Sequence, residues 1–275
     1  MTPVISFLNM KGGVGKSTLC FNIAYTIANH FKKRVLVLDM DPQFNTTQAL
    51  IEKYYNSEAY IGLVEEEKTV LRVFQGQKSI IQRGNEDNDF SPEDIILELE
   101  ENLSLICGNL DLIMVESSQR GTENLLDSFI RKIVEKNDYE YIFIDCPPTY
   151  SFYTTSSLIA SNYYFAPVKP DMYSVLGVDL LSSVIRNVNS INRANVSCLG
   201  MIFTLVRNSA TQRRIIDSLK EKNKNIKVFE SEMTYFQYSE SGRIDTFMYD
   251  MDKTKAEIIE IAEEFMNELE SKKRS

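Results

Sequence analysis

At 275 residues, with 43% hydrophobic and 25% charged side chains, the chain is long enough to bury a full core and has an ordinary globular composition. Its apolar runs are far shorter than the roughly 20 residues needed to span a bilayer, and Met1-Thr2-Pro3 passes straight into a strand-like run without a basic leader, so a cytoplasmic location with no stable membrane insertion is expected. The formal net charge of −9 disfavours polyanionic partners, and the scattered Cys20, Cys107, Cys146 and Cys198 with the lone His30 argue against a zinc site, a disulfide framework or an iron–sulfur cluster.

Val4-Ile5-Ser6-Phe7-Leu8 reads as a strand buried on both faces of a parallel sheet. It delivers Asn9-Met10-Lys11-Gly12-Gly13-Val14-Gly15-Lys16-Ser17-Thr18 at its carboxyl end. Gly12, Gly13 and Gly15 leave the backbone unobstructed, so that several N–H groups can converge on an anion, most plainly a nucleotide phosphate. A helix from about Ser17 to His30, with Leu19, Ile23, Ile27 and Phe31 at helical spacing, points its positive end at the same anion, and Lys16 adds a full charge. Ser17 supplies a hydroxyl for a magnesium shell. The stretch is a variant of G-x-x-x-x-G-K-[ST], with Met10 where that pattern has glycine and with an additional lysine, Lys11.

A second buried strand, Arg34 to Asp39, completes a βαβ unit and ends in Asp39-Met40-Asp41-Pro42-Gln43, two carboxylates at the sheet edge where open α/β folds bind ligands. Leu50 to Tyr55 and Val70 to Phe74 look helical, Gly84 to Asp89 is a polar loop, and Ser91-Pro92-Glu93-Asp94 reads as the capped start of a helix. Leu103 to Ile106 is a further strand, and an amphipathic helix from about Thr122 to Asn137 runs through Leu126, Phe129, Ile130 and Ile133. Tyr141-Ile142-Phe143-Ile144-Asp145 is the second strong constellation, because an apolar strand ending in aspartate is how phosphate-loop enzymes hold magnesium; Pro147 and Pro148 stiffen its exit.

Tyr163 to Val168 and Val196 to Thr204 are strands separated by a long helix. Buried runs thus alternate with helices, the pattern of a doubly wound, mostly parallel α/β sheet flanked by helices, read as one domain over 1–275. A basic stretch follows, with a helix from about Ser209 to Lys222 that turns Ile215, Ile216 and Leu219 inward and Arg213, Arg214 and Lys220 outward. The last helix, about Lys253 to Lys272, aligns Ile258, Ile261, Ala262, Phe265 and Leu269 on one side; its acidic polar face points to core packing rather than membrane attachment.

Lys11 to Thr18 resembles the deviant Walker A motif of the ParA/MinD family of P-loop ATPases, and Asp39-x-Asp41-Pro42-Gln43 and Asp145-Cys146-Pro147-Pro148 resemble its other two nucleotide motifs, closest to the short, Soj-like ParA type. The resemblance implies an ATP- and magnesium-dependent ATPase of a DNA partition system, active as a homodimer with ATP at its interface and stimulated by a centromere-binding, ParB-like partner. It assigns Lys16 and the amides of Gly12, Gly13, Val14 and Gly15 to the phosphates, Thr18 to the α-phosphate, Ser17 and Asp145 to magnesium, and Asp41 to the attacking water. Lys11, with no evident task in its own subunit, would reach the partner's nucleotide. Asn208 is placed near the base by analogy, and Arg207, Arg213, Arg214, Lys220 and Arg243 are candidates for non-specific DNA binding, which would make the protein nucleoid-associated. Phe44 departs from the family, which usually has glycine before the asparagine, here Asn45. A MinD-like positioning ATPase acting on a membrane or protein assembly, and an enzyme using ATP on a small molecule, are the alternatives.

Overall fold

Unbroken apolar runs too short to be helices are satisfied only inside a sheet covered on both sides. In the computed structural model, which describes residues 2–75, 91–117, 121–136, 138–192, 194–235 and 247–274, these runs form one eight-stranded sheet. The strands are Val4–Phe7 (β1), Val35–Asp39 (β2), Leu97–Glu100 (β3), Leu103–Ile106 (β4), Tyr141–Asp145 (β5), Tyr163–Val168 (β6), Ser197–Val206 (β7) and Val228–Thr234 (β8), in the order β3-β4-β2-β5-β1-β6-β7-β8. Every neighbouring pair is parallel except β3 and β4.

The helices are Lys16–Asn29 (α1), Asn45–Tyr54 (α2), Ser57–Glu65 (α3), Leu71–Gln75 (α4), Leu125–Lys136 (α5), Phe152–Ile159 (α6), Ser174–Ile191 (α7), Ala210–Lys222 (α8) and Asp252–Arg274 (α9). Side chains of α4 to α8 fill the core on one face of the sheet, and those of α1, α2 and α9 fill the other. Phe265 of α9 is the keystone of that second layer: fully buried, it packs on Phe7 of β1, Phe143 of β5 and Phe165 of β6, with ring centroids 5.9, 5.4 and 5.1 Å away.

The expected doubly wound parallel sheet is therefore present, but it is wider than the runs read from the sequence by two edge strands, β3 and β8. Leu97-Glu98-Leu99-Glu100 gives too short and too charged an alternation to announce β3, which forms because it can pair antiparallel with β4. Only Phe229 and Met233 of β8 are buried, so its sequence also looked like surface. The helix expected at Ser91 is corrected to a single 3-10 turn over Pro92–Asp94, with a complete capping box; Ile95 is already buried and the chain then enters β3. The polar loop at 84–89 lies outside the described residues.

The acidic face of α9 has a structural task. β8 is an edge strand, and Glu264 accepts hydrogen bonds from the amides of Glu230 and Ser231, both at 2.9 Å, while Glu257 accepts one from the amide of Thr234, also at 2.9 Å. These carboxylates occupy backbone donors that an exposed edge would offer to another chain.

Candidate functional site

Strand register alone assembles the site. Asp145 ends β5 opposite Phe7 of β1 on one side and Asp39 of β2 on the other, so the loops leaving these three central strands emerge side by side. From β1 the chain runs out through β2 to the edge at β3, returns through β4 to β5 beside β1, and then passes to β6 on the other side of β1; such reversals of direction are where open α/β sheets form their crevices.

The first loop turns twice through backbone that only glycine adopts freely, at Gly13 (φ 68°) and Gly15 (φ 79°); Gly15 caps α1, whose first residue is Lys16. The Thr204 hydroxyl of β7 donates to the carbonyl of Val14 at 2.6 Å, and a Cβ on Gly15 would lie 3.0 Å from Met233 Cε. Both outer strands thus brace the loop from below. Lys16 is buried, with Nζ 3.4 Å from the carbonyl of Lys11. Burial pulls its pKa down, opposed by the negative fields of Asp145 and Asp41. Ser17 and Thr18 follow in the first turn, half-buried.

Three carboxylates face this loop in different states. Asp39 is fully buried and accepts from the amide of Thr47 at 2.8 Å, from its hydroxyl at 2.9 Å and from the amide of Asp41 at 3.2 Å. Burial, aided by Asp145, pushes its pKa well up against the two bonds from Thr47, and it is the accepted bonds that give it a structural role. Asp41 accepts from the amide of Gln43 at 2.9 Å, and burial raises its pKa too, which suits a group that handles a water proton. Asp145 accepts from the Thr46 hydroxyl at 2.7 Å through Oδ2. Burial raises its pKa to about 6, against the hydroxyls of Ser17 and Thr46.

The other oxygen of Asp145, Oδ1, is buried and has no hydrogen-bond partner among the described residues. A buried carboxylate oxygen without a donor is unfavourable unless a cation meets it. Among the described residues no group of three His, Cys, Asp or Glu side chains could hold a metal by itself, so a cation here must draw most of its ligands from water and from a bound anion. That is the habit of magnesium, which keeps octahedral oxygen ligands and takes one or two carboxylates beside phosphate oxygens. The donor set of Asp145 and Ser17 fits such an ion.

Lys11 requires a correction. Far from lacking a task in its own chain, its ammonium forms an ion pair with Asp171 in the loop between β6 and α7, each side chain about one-third exposed (31% and 32%). Its amide is held by Asn9 Oδ1 at 3.0 Å, and Asn9 Nδ2 in turn donates to the carbonyl of Pro167 at 2.6 Å. The lysine thus stands at the rim of the site beside Tyr173, whose ring centroid lies 5.9 Å from Nζ.

The remaining candidates are spread along the sheet's outer edge. Asn208 is exposed beyond the end of β7, in a turn closed by the Ser209 amide on the carbonyl of Arg207 at 2.6 Å. Arg207 stacks on Tyr235 with its guanidinium carbon 3.8 Å from the ring centroid. On α8, Arg214 is exposed and Lys220 half-exposed, whereas Arg213 is gripped through NH1 by both oxygens of Glu232 on β8, each at 2.7 Å. Arg243 lies outside the described residues. Sequence reasoning missed Thr46, Thr47, Thr204 and Asp171. Only the two threonines directly after the Asp41 turn carried a signal, as hydroxyls next to paired carboxylates.

Residues 2–198 match the model of a family described as an AAA domain. That span covers the phosphate loop and both aspartate-ending strands. The chain belongs to the ParA/MinD family of P-loop ATPases. Among its ParA/MinD relatives is the sporulation initiation inhibitor protein Soj of Bacillus subtilis, 28% identical, with the alignment covering 75% of this chain and 74% of Soj. Similar solved structures include cobyrinic acid a,c-diamide synthase from Mycobacterium smegmatis with bound ADP and magnesium (TM-score 0.77, 22% identity, 98% and 96% of the two chains). A plasmid partition protein from Borrelia burgdorferi is also similar (TM-score 0.73, 20% identity, 97% and 98%). These structures share the fold. Among the described residues, no helix of this family member is long and apolar enough to cross a membrane.

Proposed function

We propose that the chain binds ATP with magnesium, hydrolyses it to ADP and phosphate, and acts as a dimerising switch of a DNA partition system in the cytoplasm, its 1–275 stretch working as one domain. The observation that carries this reading is the pairing of a buried lysine at the amino end of α1 with a buried carboxylate oxygen that has no hydrogen-bond partner among the described residues. Lys16 and the amides of Gly12, Gly13, Val14 and Gly15 hold the β- and γ-phosphates, Thr18 meets the α-phosphate, and Asn208 lies on the side of the base. Ser17 and Asp145 hold magnesium, which when bound neutralises charge on the phosphate oxygens. Asp41 orients water toward the γ-phosphate. Lys11, released from Asp171, reaches the nucleotide of a second subunit and offsets charge in the transition state. Support comes from the ADP and magnesium in the M. smegmatis enzyme of the same fold and from the likeness to Soj.

A ParB-like activator and non-specific duplex DNA are the proposed partners, with Arg207, Arg214, Lys220 and Arg243 as phosphate contacts and Arg213 a weaker one because Glu232 already occupies it. The test is Asp41→Ala: ATP-dependent dimers persist while phosphate release falls to background, and normal hydrolysis by this variant overturns the role of Asp41. A positioning ATPase acting on a membrane or protein assembly is the alternative to DNA; of these two surfaces, the occupied Arg213 and the net charge of −9 favour the protein assembly, since the charge disfavours an anionic membrane as it does DNA. Vesicle co-sedimentation compared with salt-dependent binding to random duplex DNA separates membrane from DNA, and binding to neither leaves the protein assembly.

A further inference from the structure

The turn that carries Asp41 closes on a residue in an unfavourable conformation. Phe44 caps α2 with φ 41° and ψ 39°, the left-handed region that bulky side chains avoid. Its amide nevertheless donates to the carbonyl of Asp41 at 2.8 Å, its carbonyl accepts the first helical hydrogen bond from Gln48 at 2.9 Å, and the Gln43 amide between them bonds the Asp41 carboxylate. A strained residue persists only where its surroundings hold it.

What holds Phe44 is visible on its side-chain face. Its ring stacks on Tyr60 of α3, with centroids 5.0 Å apart and planes within 17°. The Tyr60 hydroxyl donates to the carbonyl of Gly108 at 3.2 Å, which anchors the stack to the loop beyond β4. Gly108 lies so close that a Cβ there would sit 2.9 Å from Phe44 Cβ and 3.1 Å from Asp39 Cγ, and its amide bonds the Thr47 hydroxyl at 2.8 Å. Phe44 is therefore clamped between an aromatic ring and a backbone that only glycine allows to approach.

We propose that Tyr60 is a positioning residue for ATP hydrolysis, acting through Phe44 to keep the Asp41 turn closed before nucleotide arrives. Without the stack, Phe44 relaxes out of the left-handed region, the bond from its amide to Asp41 opens, and the carboxylate no longer has one position from which to orient water. Misplacement of a catalytic group by about 1 Å lowers rates by as much as 100-fold while leaving phosphate binding through Lys16 untouched. The proposal rests on the assignment of Asp41 to the attacking water.

The test is single-turnover ATP hydrolysis by the full chain. Tyr60→Leu is expected to lower the hydrolysis rate about tenfold with KM for ATP within twofold, and Tyr60→Phe, which keeps the stack, to restore the rate to within a few-fold of the unaltered chain. In the Asp41→Ala background, Tyr60→Leu is expected to cause no further loss. Phe44→Gly, for which the left-handed region carries no strain, should hold the turn without the clamp, so Phe44→Gly with Tyr60→Leu is expected to hydrolyse ATP within a few-fold of the unaltered chain, and Tyr60→Met takes the place of Tyr60→Leu if the latter fails to fold by circular dichroism. An unchanged rate in the folded variant, or an equal further loss in the Asp41→Ala background, overturns the proposal. If instead Asp41→Ala itself hydrolyses ATP normally, the assignment of Asp41 fails and not merely the role of Tyr60.

Discussion

The centre of the sheet edge, where β1, β2 and β5 end, and its outer margin, formed by β7, α8, β8 and α9, both concentrate charge, but they dispose of it in opposite ways. At the centre, Lys16, Asp39, Asp41 and Asp145 are buried and one oxygen of Asp145 is left without a hydrogen-bond partner among the described residues. At the margin, Arg213 meets Glu232, Lys227 lies 3.5 Å from Glu264, and Glu257 and Glu264 meet backbone amides, all with solvent at hand. Buried charge with an unmet valence is poised to bind something and is unfavourable while it waits. Surface charge already matched contributes little either way.

Perturbing each region should expose that difference. The largest effect is expected where the two regions share a support: Phe265→Ala removes the ring on which Phe7, Phe143 and Phe165 pack, and should destabilise the chain by about 3–5 kcal/mol in denaturant titration. Lys16→Ala comes next, with ATP affinity by calorimetry expected to fall on the order of 100-fold, because the phosphates lose a charge that solvent does not replace.

Asp145→Asn sharpens the contrast in the other direction, since it should stabilise the nucleotide-free chain. The pKa of Asp145 rises on folding to about 6, so the penalty for burying its charge is absent below pH 4, grows as pH rises to 6, and is fully present at neutral pH. The gain at pH 7.5 should be on the order of 3 kcal/mol and should vanish near pH 4, while the stabilisation of the unaltered chain by magnesium and ATP is lost; thermal melts at both pH values measure this. Smallest is the outer margin: Arg214→Ala should weaken duplex DNA binding a few-fold and reduce its salt slope by about one, whereas Arg213→Ala should change it less. Equal effects would mean that Glu232 does not restrain Arg213.

The two regions also differ in how far the sequence disclosed them. Gly13, Gly15, Lys16, Ser17, Asp41 and Asp145 were legible because short-range spacing encodes them: a glycine turn before a helix, or a carboxylate ending an apolar run. The six interior strands were legible for the same reason. β3 and β8 were not, because an edge strand buries few of its side chains and its identity depends on the neighbour it pairs with. The Phe44 departure was visible as a residue, but its stacking partner Tyr60 lies in a separate helix with no pattern to mark it.

The two lysines of the phosphate loop draw the same line. The sequence by itself determined that Lys16 begins a helix behind three glycines and that its charge sits at the positive end of that helix, since a few consecutive φ/ψ choices and the dipole of one helix decide it. Only the tertiary structure decided the state of Lys11, because Asp171 is 160 residues away and reaches the loop through the pairing of β6 with β1. An ion pair leaves no periodic trace in a chain; it exists where the sheet brings the charges together.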